Sequence, residues 1–292
     1  MKSISTHIAP FLVFLTLTGS LAAWAGDSGT KEINRTTERE LNVVISMPFG
    51  KLLVSKGEPE KILVGELLAG ENSGHELLYE YHVRNRTGFL DLSLGDPNES
   101  DRKRGSIKIK EFTGSKSQLR FTSAIPISFD IELGLARGAF DLSGLQVKDF
   151  TLSCGASDVT IGFDAPNGTS MEEMNIECGV GKFEGRNLGN AKFKHFRFEG
   201  GVGAATLDFS GKIQNEVDVD VQVGMGLCTI ILPRDVGARI FYEESLVTRI
   251  DLATDIRSDS ENQYVSDNYK SASARMNIRV DAGLGNVKIK RQ

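Results

Sequence analysis

The residues with the most chemical potential form an acidic column. Glycines recur at Gly134, Gly155, Gly179, Gly201 and Gly224, spaced 21, 24, 22 and 23 residues apart, and again at Gly283. Two residues before these anchors stand Glu132, Ser153, Glu177, Glu199, Gln222 and Asp281. Four residues before the first five stand Asp130, Thr151, Asn175, Arg197 and Asp220. If each segment is a strand, even offsets share one face. Stacked carboxylates could hold a divalent cation or act as acid and base on a glycoside. On an open face they are solvated and partly ion-paired, which is the stronger reading. Arg197, on the same face, is placed to offset repulsion between Glu177 and Glu199 on adjacent repeats. Glu132, Glu177, Glu199, Arg197 and Asp220 are therefore the candidate binding residues. No catalytic, cofactor-binding or metal-ligating residue is assigned, and no cofactor is expected.

The other reactive side chains form no recognisable constellation. His75, His82 and His195 stand far apart, without metal-ligand spacing. There is no nucleophile elbow, phosphate loop or dinucleotide fingerprint. Gly-Val-Gly at 179–181 and 201–203 and Gly-Met-Gly at 224–226 look like nucleotide loops, but their recurrence in every repeat favours a structural role. Cys154 and Cys178 both sit one residue before an anchor, while Cys228 sits four after one. Strand spacing admits a bridge between Cys154 and Cys178. A buried, reduced ladder is preferred, because directly paired strand cysteines meet dihedral strain. Asp255–Asn262 lacks the Gly and terminal Glu of a calcium loop and reads as exposed loop. Tyr264 and Tyr269 are expected to dock the C-terminal segment.

The elements that must position these residues are short strands. Phe129, Phe150, Met174, Phe196, Val219 and Ile278 lie five residues before the anchors, and Ile131, Leu152, Ile176, Phe198, Val221 and Val280 three before. Leu135, Ala156, Val180, Val202, Met225 and Leu284 follow the anchors directly. Beyond them the apolar positions move to even offsets, with Val159, Phe183, Cys228 and Val287 four after. The inward phase should therefore slip between the first and fourth residues after the anchor, which requires a bulge or corner. Gly181, Gly203, Gly226 and Gly285, two after the anchors, suit that corner, as does Gly50 in an earlier copy with Pro48 at the anchor. No stretch has sustained helical periodicity. The expected fold is all-β: a single-stranded β-solenoid of about 21–24-residue coils with irregular β caps. The alternative is a β-sandwich.

The expected organisation begins with a signal peptide at 1–25, where Lys2, an apolar run and Ala23-Trp24-Ala25 place cleavage before Gly26. A flexible lead-in follows at 26–40, then an N-terminal β part and cap at 41–128. Regular coils occupy 129–239, and a C-terminal cap with the last coil occupies 240–292. Further strands are expected at Lys61–Leu68, Leu77–Arg84, Phe89–Leu94 and Ser106–Glu111. No second long apolar run follows, so no transmembrane span is expected in the mature chain. The net charge of -5 argues against nucleic acid as partner. Asn34, Asn98 and Asn167 match the glycosylation pattern, and would be chance matches if the source is bacterial.

Four segments in this order carry a family resemblance: Phe129–Gly144 (FDIELGLARGAFDLSG), Leu152–Ile161 (LSCGASDVTI), Val221–Gly237 (VQVGMGLCTIILPRDVG) and Met276–Ile289 (MNIRVDAGLGNVKI). With Ser46–Gly57 (SMPFGKLLVSKG) at the start, the chain resembles the bacterial toast-rack domains, a putative-adhesin family. That family includes the extracellular part of cell-wall-active-antibiotic response proteins. The resemblance spans roughly residues 40–291. It implies a β-solenoid in the cell envelope and no catalytic residue. Stress-regulating members carry transmembrane helices, and none is expected in the mature chain here. The leading expectation is a non-enzymatic exported protein, periplasmic or extracellular, acting as an adhesin-like binding or scaffold module, with envelope glycan or a membrane protein as the candidate partners. The alternatives are an accessory protein in envelope stress, working through a membrane protein, and a carbohydrate-active solenoid enzyme.

Overall fold

The computed structural model describes residues 30–68, 76–95, 116–242 and 248–292. The expected signal peptide, the loop at 96–105, the strand at 106–111, His75 and Asn98 lie outside the described residues.

Among the described residues, alternating sequence becomes extended chain, with a single 3-10 turn at Leu188–Ala191 between the repeated strands. The strands are β1 (Thr30–Asn34), β2 (Glu40–Lys56), β3 (Lys61–Leu68), β4 (Glu76–Arg84), β5 (Thr87–Gly95) and β6 (Lys116–Phe121). The long repeated strands follow: β7 (Ile127–Asp141), β8 (Val147–Gly162), β9 (Met171–Arg186), β10 (Phe193–Asp208) and β11 (Glu216–Leu232). The last are β12 (Gly237–Tyr242), β13 (Thr248–Asp251), β14 (Ile256–Ser260), β15 (Gln263–Ser266) and β16 (Arg275–Arg291). Together they form one open, mixed sheet of sixteen strands. Among the described residues, no helix is long and apolar enough to cross a membrane.

The centre of the sheet is parallel and in register. β2, β7, β8, β9, β10, β11 and β16 lie side by side as rungs. Phe129 pairs with Phe150, Phe150 with Met174, Phe196 with Val219, and Val219 with Ile278, so equivalent repeat positions stack. β16 is inserted between β11 and β12, far from its neighbours in sequence. Apolar side chains of successive rungs share one core, where Phe196 packs edge-on against Phe209 with centroids 5.2 Å apart. Each fully buried large apolar side chain contributes about 1.5–3 kcal/mol by leaving water, and each rung depends on its neighbours to supply that burial.

The glycines make the corner of each rung. The anchor residue is skipped in the pairing register, so Cys154 pairs with Cys178 and Ala156 with Val180. A Cβ on Gly201 would lie 2.3 Å from the carbonyl oxygen of Gly179. Gly203 has φ +148°, and its Cβ would lie 1.9 Å from the oxygen of Gly181. The corner therefore excludes side chains twice, by close rung approach and by a backbone conformation that L residues rarely adopt. In β8, Ser157 takes the second position, and its hydroxyl donates to the oxygen of Gly134 at 3.0 Å.

The phase change starts earlier than the sequence pattern indicates. Leu135, Val180, Val202, Met225 and Leu284, directly after the anchors, are 44–55% exposed. The phase expectation placed them on the inward side. At Gly181, Gly203, Gly226 and Gly285 a positive φ two residues after the anchor accompanies this reversal; in β7 Ala136 takes that position without one, and Leu135 is still turned outward. Inward packing resumes at the fourth residue, with Val159, Phe183, Cys228 and Val287 buried.

A second corner is built on buried asparagine. Asn167 is fully buried; its amide nitrogen donates to the oxygens of Val147 at 2.6 Å and Ala191 at 3.0 Å. Its Oδ1 accepts from the Val147 amide at 2.8 Å. Asn167 is thus a rung-to-rung bracket and not an accessible glycan acceptor. Asn190 repeats part of this arrangement, donating to Phe163 O at 2.9 Å.

Antiparallel pairs lie at both ends of the strand order. β1 pairs with β3, β3 with β6 and β4 with β5 at one end; β15 pairs with both β12 and β14 at the other. Thr30–Asn34, within the segment expected as flexible lead-in, is the strand β1. Asp255–Asn262, expected as loop, contains β14, which turns directly into β15. Exposure of Arg257–Ser260 suits the polar composition, while Ile256 is buried; pairing on one side only gives the strand.

Candidate functional site

The acidic column becomes the wall of a groove. The groove encloses about 700 Å³ and crosses six rungs, with Glu132, Ser153, Glu177, Glu199, Gln222 and Asp281 along it. At about 4.8 Å per rung, six rungs span about 24 Å. The anchor glycines line it with bare backbone. The strand period thus puts polar side chains outward beside the corner, and the lack of side chains at the anchors leaves the trough.

Three of the five candidate residues, Glu132, Glu177 and Glu199, enter the groove. Arg197 and Asp220 do not line it. They sit side by side in the next outward column, paired across β10 and β11. Arg197 Nε donates to Glu199 Oε1 at 2.6 Å. Hydrogen bonding and charge from Glu199 hold the Arg197 guanidinium above its ordinary range, with smaller contributions from Asp220 and Glu177. The expected relief of repulsion is therefore directed mainly at Glu199. Asp220 faces Arg279 Nη1 at 3.6 Å. Glu177 pairs in register with Glu199, so two carboxylates stand on adjacent rungs with only one directly bonded to arginine.

The carboxylates sit on an open surface. Glu132, Glu177 and Asp281 are exposed and Glu199 is half-buried. A glycosidase acid needs an environment that keeps its proton at working pH, usually an apolar pocket, and this wall provides no such desolvation. Among the described residues, no group of three or more His, Cys, Asp or Glu is arranged to hold a metal ion. His195 points outward as expected, with Nδ1 3.6 Å from Asp218. His82 stacks on Phe89 at 5.1 Å. Tyr269 lies under Arg239, whose guanidinium carbon is 4.4 Å from the ring centroid, within the C-terminal packing.

The candidate set lacked two features of this surface. Cys154 and Cys178 belong to the groove lining. Their sequence signal was present in their shared repeat position, and both face the core as expected, Cys154 buried within it and Cys178 packed against it with partial exposure. The exposed ladder Leu135, Val180, Val202, Met225 and Leu284 was visible as a column of large apolar residues. Its orientation depended on the corner.

These features define an all-β repeat protein whose outward surface is shaped by corner glycines. The sequence matches the family described as the N-terminal domain of toast_rack, DUF2154, over residues 25–184 and 173–231, and the chain belongs to that toast-rack family. No curated protein matches it. Among solved structures it is similar to a putative cell adhesion protein from Clostridium sporogenes ATCC 15579, with 21% identity and TM-score 0.48, covering 90% of this chain and 98% of that one. It is also similar to a putative adhesin from Bacteroides fragilis NCTC 9343, with 12% identity and TM-score 0.41, covering 89% of this chain and 95% of that one.

Proposed function

We propose that this protein is an exported, non-enzymatic binding module of the cell envelope. In this reading the rungs are the coils of a β-solenoid of about 21–24 residues each, and the antiparallel ends are its caps. The carrying observation is the groove of about 700 Å³ that crosses six rungs. Its length suits an extended polymer more than a compact metabolite. Its carboxylates and exposed peptide groups suit an envelope glycan bearing hydroxyl and ammonium donors. Retention of the purified protein by insoluble envelope glycan tests the proposal. Glu177→Gln combined with Glu199→Gln should weaken retention about tenfold while leaving the melting transition unchanged, the scale of one to two lost charge-assisted hydrogen bonds. Equal retention of variant and parent, or no retention of either, would sink it.

A second reading is an accessory role in envelope stress through a membrane protein. The exposed ladder Leu135, Val180, Val202, Met225 and Leu284 favours it, because contiguous apolar surface marks interaction sites. Val202→Ser with Met225→Ser should abolish site-specific crosslinking to that partner without affecting glycan retention.

A further inference from the structure

The groove contains a chemical feature that glycan binding does not use. Cys154 and Cys178 are paired directly across β8 and β9. Both are free thiols, and both line the groove. Cys154 is buried, at 8% exposure, while Cys178 is partly exposed. The next rung carries Gly200 at the same position, and the ring of Phe198 fills the space a side chain there would take, so the access to Cys178 is partial. Cys228, by contrast, is buried in a different column and does not line the groove.

We propose that Cys154 and Cys178 form a reversible dithiol–disulfide site that reacts with disulfides entering the groove, preferring cationic ones. Neighbouring strands lie about 4.8 Å apart, within the Cα separation of about 4.4–6.8 Å that a disulfide spans. A bridge between directly paired residues is strained, which makes it oxidising and easily reduced. That character suits a reversible site better than a permanent staple. The two thiols are close enough to influence one another's ionisation. Interaction with Cys178, then burial, pushes the Cys154 thiol up, while interaction with Cys154 draws the Cys178 thiol down. Cys178, the more exposed of the two, is the attacking group, and buried Cys154 is the resolving one.

The reaction balances without further components. The Cys178 thiolate attacks one sulfur of R–S–S–R, forms a mixed disulfide and expels R–S⁻. Cys154 then loses its proton and attacks Cys178 Sγ, forming the protein disulfide and expelling the second R–S⁻. The two thiol protons finish on the two released thiols. The protein is oxidised by two electrons and the incoming disulfide is reduced. Glu177 and Glu199 flank the entry, so a positively charged disulfide is attracted and an anionic one repelled.

The test uses the full purified chain, cystamine as cationic disulfide and oxidised glutathione as anionic disulfide, read by intact mass and peptide mapping. The parent should lose two hydrogens and map one bridge between Cys154 and Cys178, with Cys228 unmodified. Cystamine should react about tenfold faster at low salt, the lower range of electrostatic steering, and high salt should reduce the difference. Cys154→Ala should retain one adduct on Cys178, whereas native Cys178→Ala should retain none. Alanine suits this position, since Ala282 occupies it in β16. No bridge in the native parent, stable adducts on both cysteines, or faster reaction with glutathione would overturn the proposal. None of these outcomes depends on glycan binding.

Discussion

At the residue scale, the corner glycines have the most direct energetic consequence. Gly203 combines φ +148° with a Cβ position 1.9 Å from Gly181 O, so alanine must displace backbone. Gly203→Ala should destabilise the protein by about 3 kcal/mol or more, combining backbone strain with overpacking. Gly162→Ala is the control: its nearest contact is a side-chain atom at 4.0 Å, and its cost should be below about 1 kcal/mol. Urea unfolding of both decides this, and equal midpoints would refute the close-approach account. Glu38 provides a pH prediction. Burial opposes its charge, but hydrogen bonds from Tyr81 and from the Thr36 amide and hydroxyl hold its carboxyl below the ordinary value of 4.5. Since the folded-state value is depressed, this stabilisation is present above pH 4.5 and is lost as pH falls through the folded value. Glu38→Gln should flatten that loss in urea midpoints followed from neutral to acidic pH; a parent and variant with parallel profiles would exclude Glu38 as its source.

At the element scale, the parallel rungs were legible because two signals coincide: alternating apolar residues and an anchor recurring at 21–24 residues. Phe129, Phe150 and Phe196 could be placed inward from that alone. The residue after the anchor could not, because its direction is set by the backbone of the corner, which skips the anchor in the pairing register. The acidic wall was similarly legible as a column, but the groove required the side-chain-free backbone between the corners. Sequence spacing gave no indication that β16 inserts between β11 and β12, since that neighbourhood is set by tertiary pairing. Asn167 was concealed by a familiar motif. Its acceptor pattern describes local sequence, while its actual bonds reach Val147 and Ala191 on neighbouring turns. Asn167→Ala should cost about 3 kcal/mol, within the range for leaving several buried backbone groups unpaired. Asn34→Ala, at an exposed position, should change stability by less than about 0.5 kcal/mol. Thermal unfolding with similar losses for both would contradict the bracket role.

At the scale of the whole molecule, stacked rungs make stability a neighbour-to-neighbour property. A central strand such as β9 has a long parallel partner on each side, while β1 and β14 end the strand order. The C-terminal end has an additional lock. Arg291 is buried, bonds Asp255 Oδ2 at 3.1 Å, and donates to Val236 O at 2.8 Å and Arg234 O at 3.0 Å. It thus ties β16 to the turn before β12 and to the segment before β14. Native-state hydrogen exchange should show strongest protection in β8–β10 and progressively weaker protection toward both ends. Arg291→Ala leaves Asp255 and two carbonyls without this partner and should cost about 3–5 kcal/mol locally, as for one half of a buried ion pair. Its exchange rates should rise in β12, β14, β15 and β16 while those in β2 and β7 remain near parent values. A uniform increase across all rungs would mean that the sheet unfolds as one cooperative unit, and the neighbour-by-neighbour description would fail.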